Sequence, residues 1–356
     1  MTRTLVLIGH GMVGHHLLER LAERPGSGWR MVVFAEEPQR AYDRVHLSSY
    51  FTGSTADDLL LGDEAFFAEH GIELRLGERV VAIDRGARRV TSAAGHTVAY
   101  DALVLATGSY PFVPPVPGRD APGCFVYRSI EDLRAIEAYA AGCRSGAVVG
   151  GGLLGLEAAN ALRSLGLATQ VVEFAPRLMP VQVDEGGGTV LRRHIEGLGV
   201  TVHIGARTEE VLTGTGGQVT GMRLADREEP LRADLVVFAA GIRPRDDLAR
   251  QAGLPVGERG GIVVDEGCRT ADPAVFAIGE CALVNGRGYG LVGPGYAMAS
   301  VVAARLTGDQ SASFTGADLS TKLKLLGVDV ASFGDPHGGD DALGVCYADS
   351  LAGVYR

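Results

Sequence analysis

Two glycine clusters carry the densest chemistry in the sequence. The first, Gly9-His10-Gly11-Met12-Val13-Gly14, follows the apolar run Leu5-Val6-Leu7-Ile8 and opens an amphipathic stretch. The second, Gly150-Gly151-Gly152-Leu153-Leu154-Gly155-Leu156-Glu157, stands behind Ala147-Val148-Val149. Between a strand and a helix, the first glycine of such a cluster permits a tight turn and the second lets a pyrophosphate approach the backbone. The third lets the helix pack closely on the strand, and the phosphates meet the helix N-terminus. Roughly 20 residues after each cluster an acid ends the next apolar run, where a carboxylate can bind a ribose hydroxyl. These acids are Glu36, after Met31-Val32-Val33-Phe34, and Glu173, after Gln170-Val171-Val172. His10, His15 and His16 are placed on or beside the first helical turn rather than as acids or ligands.

Two dinucleotide sites on one chain imply electron transfer between two cofactors. A carboxylate on the adenosine ribose repels a 2′-phosphate, so Glu173 favours NADH over NADPH. Arg177, four residues on, keeps NADPH open, because a nearby arginine can accept that phosphate.

The elements that must position these residues repeat. Each cluster sits in a unit of strand, glycine turn, helix, strand and terminal acid, an internal duplication of the nucleotide-binding βαβ motif. The prediction is an α/β fold with two Rossmann-like three-layer nucleotide-binding domains. Pro111-Phe112-Val113-Pro114-Pro115-Val116-Pro117-Gly118 cannot be helix or central strand and reads as a linker. A second crossing is read at Gly241-Ile242-Arg243-Pro244. Residues 1–112 and 243–311 are therefore assigned to a discontinuous first domain and 113–242 to a second. Residues 312–356 are assigned to an incomplete C-terminal α+β segment, since the strand-like pattern there stops abruptly at Arg356.

Composition narrows the function classes. Hydrophobic residues make up 46% and charged residues 21% of 356, which argues for a folded chain, and no apolar run approaches membrane-span length. The formal charge of -10 argues against a nucleic-acid partner. The opening residues lack an export signal, so a cytoplasmic location is expected. Five cysteines, at irregular spacing and without CxxC, disfavour disulfide frameworks, zinc sites and iron–sulfur ligation, so no metal site is assigned. Of 33 basic residues only Lys322 and Lys324 are lysines, and both fall in one tetrapeptide.

Further motifs carry a resemblance. Thr270-Ala271-Asp272-Pro273-Ala274-Val275-Phe276-Ala277-Ile278-Gly279-Glu280 resembles the second FAD fingerprint of the glutathione-reductase-like flavoproteins with two dinucleotide-binding domains. The resemblance implies that Gly279 and Glu280 meet the flavin ribityl chain and makes the first domain the FAD domain and the second the NAD(H) domain. Ala106-Thr107-Gly108-Ser109-Tyr110-Pro111 resembles the crossover out of the FAD domain, and Ala240-Gly241-Ile242-Arg243-Pro244 the crossover back. Gly293-Pro294-Gly295 is the candidate start of the helix that faces the flavin pyrimidine edge. Lys322 and Lys324 are candidates for positive charge near that edge, against the reading of a solvated surface pair. Glu157 resembles the family acid near the nicotinamide.

No cysteine precedes Cys124, which removes the thiol mechanisms of disulfide reductases and NADH peroxidases. Instead Tyr42-Asp43-Arg44-Val45-His46-Leu47-Ser48-Ser49 resembles a segment in which Arg44 and Leu47 would line FAD. With Val172-Glu173-Phe174-Ala175-Pro176-Arg177-Leu178-Met179 and Ser320-Thr321-Lys322-Leu323-Lys324-Leu325-Leu326-Gly327-Val328-Asp329-Val330, it is similar to the FAD/NAD(P)H module of the assimilatory nitrite reductase large subunit. That resemblance implies an electron-input module of nitrate assimilation: NADH reduces FAD, and a downstream iron–sulfur and siroheme domain, not present on this chain, reduces nitrite to ammonia. Two alternatives stay open: a stand-alone NADH-dependent rubredoxin or ferredoxin reductase serving a small electron-carrier protein, and an NADH-sensing flavoprotein without turnover. The oligomeric state is left open, a homodimer among the options.

Overall fold

The computed structural model describes residues 2–24, 28–225, 227–325, 328–333, 345, 347–349 and 354–355. The side chain of Lys324 and residues Leu326 and Gly327 lie outside the described residues. Contacts divide the chain into two compact units, one of residues 1–44, 57–110 and 242–319, the other of 45–56, 111–241 and 320–356.

In the first unit, five short apolar strands form a parallel sheet in the order Val275–Ala277, Ala102–Leu105, Arg3–Ile8, Trp29–Phe34, Ile72–Arg75. Leu5 to Leu7, Val32 to Phe34 and Leu103 to Leu105 are almost fully buried. Near-continuous apolar runs suit a strand covered on both faces, unlike the alternating pattern of a half-exposed one. The helix Met12–Ala22 links the third and fourth strands of the order and buries Leu17, Leu18 and Leu21. Each such side chain contributes about 2 kcal/mol by leaving water. The helix Val292–Leu306 packs against it. Between the fourth and fifth strands of the order the chain makes a single turn at Asp57–Leu59 and a short helix, Glu64–Glu69. The Asp63 carboxylate caps that helix by accepting the Phe66 N–H at 2.9 Å.

The second unit repeats the plan. Its parallel sheet runs Thr201–His203, Ala168–Val172, Ser145–Val149, Leu235–Phe238, Cys124–Val126. The helix Leu153–Ser164 occupies the place that Met12–Ala22 holds in the first unit. Each unit also carries a three-stranded antiparallel meander just before the returning central strand: 80–84, 89–92 and 97–99 in the first, 208–213, 219–224 and 231–232 in the second. The duplication thus extends from the glycine motifs to whole units, and the α/β class with two Rossmann-like halves holds. The strands Thr321–Leu325 and Val328–Ser332 pair antiparallel, with Lys322 exposed.

Candidate functional site

The first glycine turn is built as its residue types require. Gly9 has φ +102° and donates its N–H to Phe34 O at 2.9 Å, joining the turn to the neighbouring strand. A Cβ on Gly9 would strike the Ala106 carbonyl oxygen, and one on Gly14 would strike the Gly9 carbonyl oxygen. Gly11 is different: a Cβ there would meet nothing within 4 Å. It is also the N-cap of Met12–Ala22, and no side chain caps the N–H groups of that helix. Open space over uncapped N–H groups and a positive helix end is what a pyrophosphate needs, so these residues fit the phosphates of FAD.

The other motifs of the first unit converge on this turn. Val13 lies under Gly279 and Gly295, where a Cβ on Gly295 would approach the Val13 side chain to 2.5 Å. Met12 and Val13 open the helix. Gly279 donates its N–H to the Met298 sulfur at 3.4 Å, fixing the second fingerprint on the helix Val292–Leu306. The Glu280 carboxylate accepts the Ser109 hydroxyl at 2.8 Å. Thr107 donates to Arg245 O at 2.6 Å, and Arg245 N–H donates to Gly108 O at 2.9 Å. Ala106 to Gly108 are thereby held beside Gly9.

Several carboxylates already have partners. Glu36, expected to be open to a ribose, is ion-paired with Arg245, whose guanidinium lies 4.5 Å over the Tyr110 ring. Glu37 accepts the Tyr42 hydroxyl at 2.7 Å and is paired with Arg44. Burial works against the Arg44 charge, but Tyr42, Glu37 and Glu280 outweigh it and raise the guanidinium above its ordinary value. Arg245, Glu37 and Tyr42 were not singled out from the sequence; Arg245 and Glu37 stand next to Pro244 and Glu36, and Tyr42 opens the segment that carries Arg44 and Leu47. Leu47 is buried on the Arg44–Thr52 segment.

His10 and His15 are both buried, with ring centres 5.6 Å apart. His10 Nδ1 accepts the Ala41 N–H at 3.2 Å. Burial, with His15 and Arg40 nearby, lowers its pKa to about 3, so it is a neutral packing group.

The second glycine turn matches the first. Gly150 has φ +118° and donates to Val172 O at 2.8 Å. A Cβ there would strike Ala239 O, one on Gly155 would strike Gly150 O, and one on Gly152 would meet nothing within 4 Å. Gly152 is the N-cap of Leu153–Ser164, again without a capping side chain, and Leu153 and Leu154 sit partly exposed on its first turn. This cradle fits a second dinucleotide. Glu173 reaches into it, accepting the Gly151 N–H at 2.5 Å and the Ala175 N–H at 2.6 Å. Arg177 is committed elsewhere, donating to Val183 O at 2.9 Å and Pro180 O at 3.4 Å. Gly241 accepts the Phe112 N–H at 2.8 Å.

Glu157, one turn into the helix, is half-buried. Burial, against a hydrogen bond from Ser48 and the field of His46, pushes its carboxyl up to about 7. The sequence pointed to Glu157 but not to Ser48 as its partner.

The chain matches the family described as pyridine nucleotide-disulphide oxidoreductase over residues 3–308. It is 59% identical to the nitrite reductase [NAD(P)H] large subunit of Klebsiella oxytoca over 94% of this chain and 35% of that protein. It is 52% identical to the nitrite reductase (NADH) large subunit of Escherichia coli over 99% of this chain and 42% of that protein. The chain thus spans less than half the length of either relative. Among solved structures, a ferredoxin reductase from Rhodopseudomonas palustris superposes with a TM-score of 0.83 at 32% identity, covering 90% of this chain and 79% of that one. Two glycine cradles on duplicated units and these matches give one conclusion: the chain belongs to the pyridine nucleotide-disulphide oxidoreductase family and is an FAD-dependent NAD(P)H oxidoreductase.

Proposed function

We propose that this chain is the electron-input module of a nitrite-reducing system, taking a hydride from NADH onto FAD and delivering the electrons to a downstream redox domain or carrier protein. The observation that carries the reading is the pair of matched cradles, each with an open second glycine over an uncapped helix N-terminus. FAD, when bound, supplies the step from a two-electron hydride to one-electron delivery. Residues 1–112 and 243–311 are assigned to FAD, through Gly9, Gly11, Met12, Val13, Gly14, Glu36, Arg44, Ala106, Thr107, Gly108, Gly279 and Glu280. Leu47 is assigned with them. Residues 113–242 are assigned to NADH, through Gly150, Gly152, Leu153, Leu154, Gly155, Glu173 and Gly241, with Glu157 toward the nicotinamide. Residues 312–356 are assigned to a C-terminal segment outside the two nucleotide domains, with Lys322 and Lys324 as the candidates for positive charge near the flavin.

NADH rather than NADPH is favoured because Glu173 sits in the cradle while Arg177 is occupied by two carbonyls. Nitrite reduction is brought to the chain by the nitrite reductases that share most of its length. No helix among the described residues is long and apolar enough to cross a membrane, and we place the function in the cytoplasm.

The test is anaerobic titration of the FAD-loaded chain with NADH and with NADPH, followed by ferricyanide or nitrite. Bleaching by NADH, with re-oxidation by ferricyanide and not by nitrite, is expected. Absence of bleaching with either nucleotide overturns the reading. The similarity to a ferredoxin reductase supports a second reading, a reductase of a small carrier protein. Rapid turnover with a rubredoxin or ferredoxin as sole acceptor would favour it.

A further inference from the structure

The Glu157 carboxyl group ends a chain of hydroxyl donors. Ser48, on the Arg44–Thr52 segment, hydrogen-bonds to it and favours its charged form, so the hydroxyl donates to the carboxylate. The Ser48 oxygen in turn accepts the Tyr127 hydroxyl at 3.2 Å. Tyr127 follows the strand Cys124–Val126, is 1% exposed, and lies stacked 6.4 Å from Phe51. Burial pushes its hydroxyl well above the ordinary tyrosine range, against the Ser48 bond and with the Glu157 charge, so it stays a proton donor. All four residues belong to the second unit.

The groups that face Glu157 are few. From the Arg44–Thr52 segment they are Ser48 and the exposed imidazole of His46; from the end of the Cys124–Val126 strand it is Tyr127. Among the described residues no lysine or arginine is paired with it. A permanent cation would hold the carboxylate ionised, whereas hydroxyl partners stabilise the charge only modestly and leave a buried carboxyl able to carry a proton.

We propose that Ser48 and Tyr127 are positioning residues whose relay sets the protonation state of Glu157 beside the nicotinamide, and so makes the preference between reduced and oxidised nucleotide pH-dependent. The proposal rests on the reading that the second cradle takes NADH with Glu157 toward its ring. The oxidised ring carries a positive charge that the reduced ring lacks. An ionised Glu157 attracts the oxidised ring, and a protonated one does not. A carboxyl that titrates near neutrality therefore strengthens NAD+ binding as pH rises, while NADH binding changes little.

The test measures Kd for NAD+ at equilibrium in the FAD-loaded protein, and Kd for NADH in the same protein after full anaerobic reduction with dithionite, from about pH 6 to about pH 8.5. In the wild-type chain NAD+ binding is expected to tighten through an inflection near 7. Ser48→Ala removes the donor that favours the carboxylate, so the inflection moves up by roughly one pH unit. Tyr127→Phe moves it in the same direction by less. Ser48→Thr, which keeps the hydroxyl, leaves it in place, and Glu157→Gln abolishes it. Infrared difference spectra across the same range should show a protonated-carboxyl band that disappears in Glu157→Gln, a readout independent of turnover. An inflection unmoved in both Ser48→Ala and Tyr127→Phe overturns the relay while leaving NADH oxidation intact. Failure of the wild-type flavin to bleach with NADH overturns instead the reading on which the relay rests.

Discussion

At the residue scale, the second cradle separates what an acid and a base near a ribose can do. Glu173 offers its carboxylate to the Gly151 and Ala175 N–H groups, and a ribose diol is a further donor it can accept. Arg177 has its guanidinium on Val183 O and Pro180 O, and its stem lies 2.8 Å from where a Cβ on Gly188 would stand. Removing the acid therefore loses NADH without providing a seat for a 2′-phosphate. In Glu173→Ala, kcat/KM for NADH with ferricyanide should fall about 10- to 100-fold, the worth of a hydrogen bond to a charged group. NADPH should change less than about threefold; a tenfold gain would mean that Arg177 lets go of the carbonyls. His10 supplies a second residue-scale prediction, on stability. Its pKa is lowered from 6.5 to about 3 by burial, so above pH 6.5 the neutral ring contributes fully in the folded state. As pH falls below 6.5 the unfolded chain binds a proton that the folded chain refuses, at about 1.4 kcal/mol per pH unit. Urea unfolding at pH 7 and pH 5 should therefore show wild type losing about 2 kcal/mol more than His10→Asn. Equal losses would show that the ring is free to protonate in the fold.

At the element scale, each cradle assigns its three glycines to different tasks, and the tasks can be told apart by substitution. Gly155 is a packing glycine, because a Cβ would enter the Gly150 carbonyl oxygen, whereas Gly152 faces open space. Gly155→Ala should destabilise the chain by about 3 kcal/mol in urea unfolding, the scale of overpacking against backbone. Gly152→Ala should alter stability by less than about 1 kcal/mol but weaken NADH binding at least about tenfold, measured by titration. This logic was legible in the sequence because each motif is local: strand, turn, helix and acid lie within some tens of residues. Less was legible where distant segments meet. Ser48 and Tyr127 stand far from Glu157 in sequence, and the Glu36–Arg245 pair joins two motifs that look unrelated when read along the chain. The helix Glu185–Gly197 was also invisible, since three glycines in its first turns are poor helix formers. Context overrides that propensity: Asp184 caps the helix by accepting the Gly187 N–H at 2.8 Å, and its carboxylate also accepts the Tyr355 hydroxyl at 2.7 Å. A Cβ on Gly186 would run into the Tyr355 ring, which turns the weak helix former into the residue that fits.

At the scale of the whole molecule, duplication is the organising fact. The two units repeat sheet order, glycine helix and meander, and share no residue of either cradle. Two sites built from separate sets of backbone atoms should be separable by substitution. Gly11 and Gly152 are the matched positions, each open and each at an uncapped helix N-terminus. A methyl group at Gly11 intrudes only where the FAD pyrophosphate is expected, and one at Gly152 only where the NADH pyrophosphate is expected. Gly11→Ala should therefore purify with most of its flavin lost, yet bind NAD+ in calorimetry with an affinity within about threefold of the flavin-free wild type. Gly152→Ala should retain its flavin and its visible spectrum but fail to bleach with NADH, while dithionite still reduces it. Loss of both cofactors in either variant would mean that each unit binds its cofactor only when the other is intact, and the two cradles would then be one cooperative site.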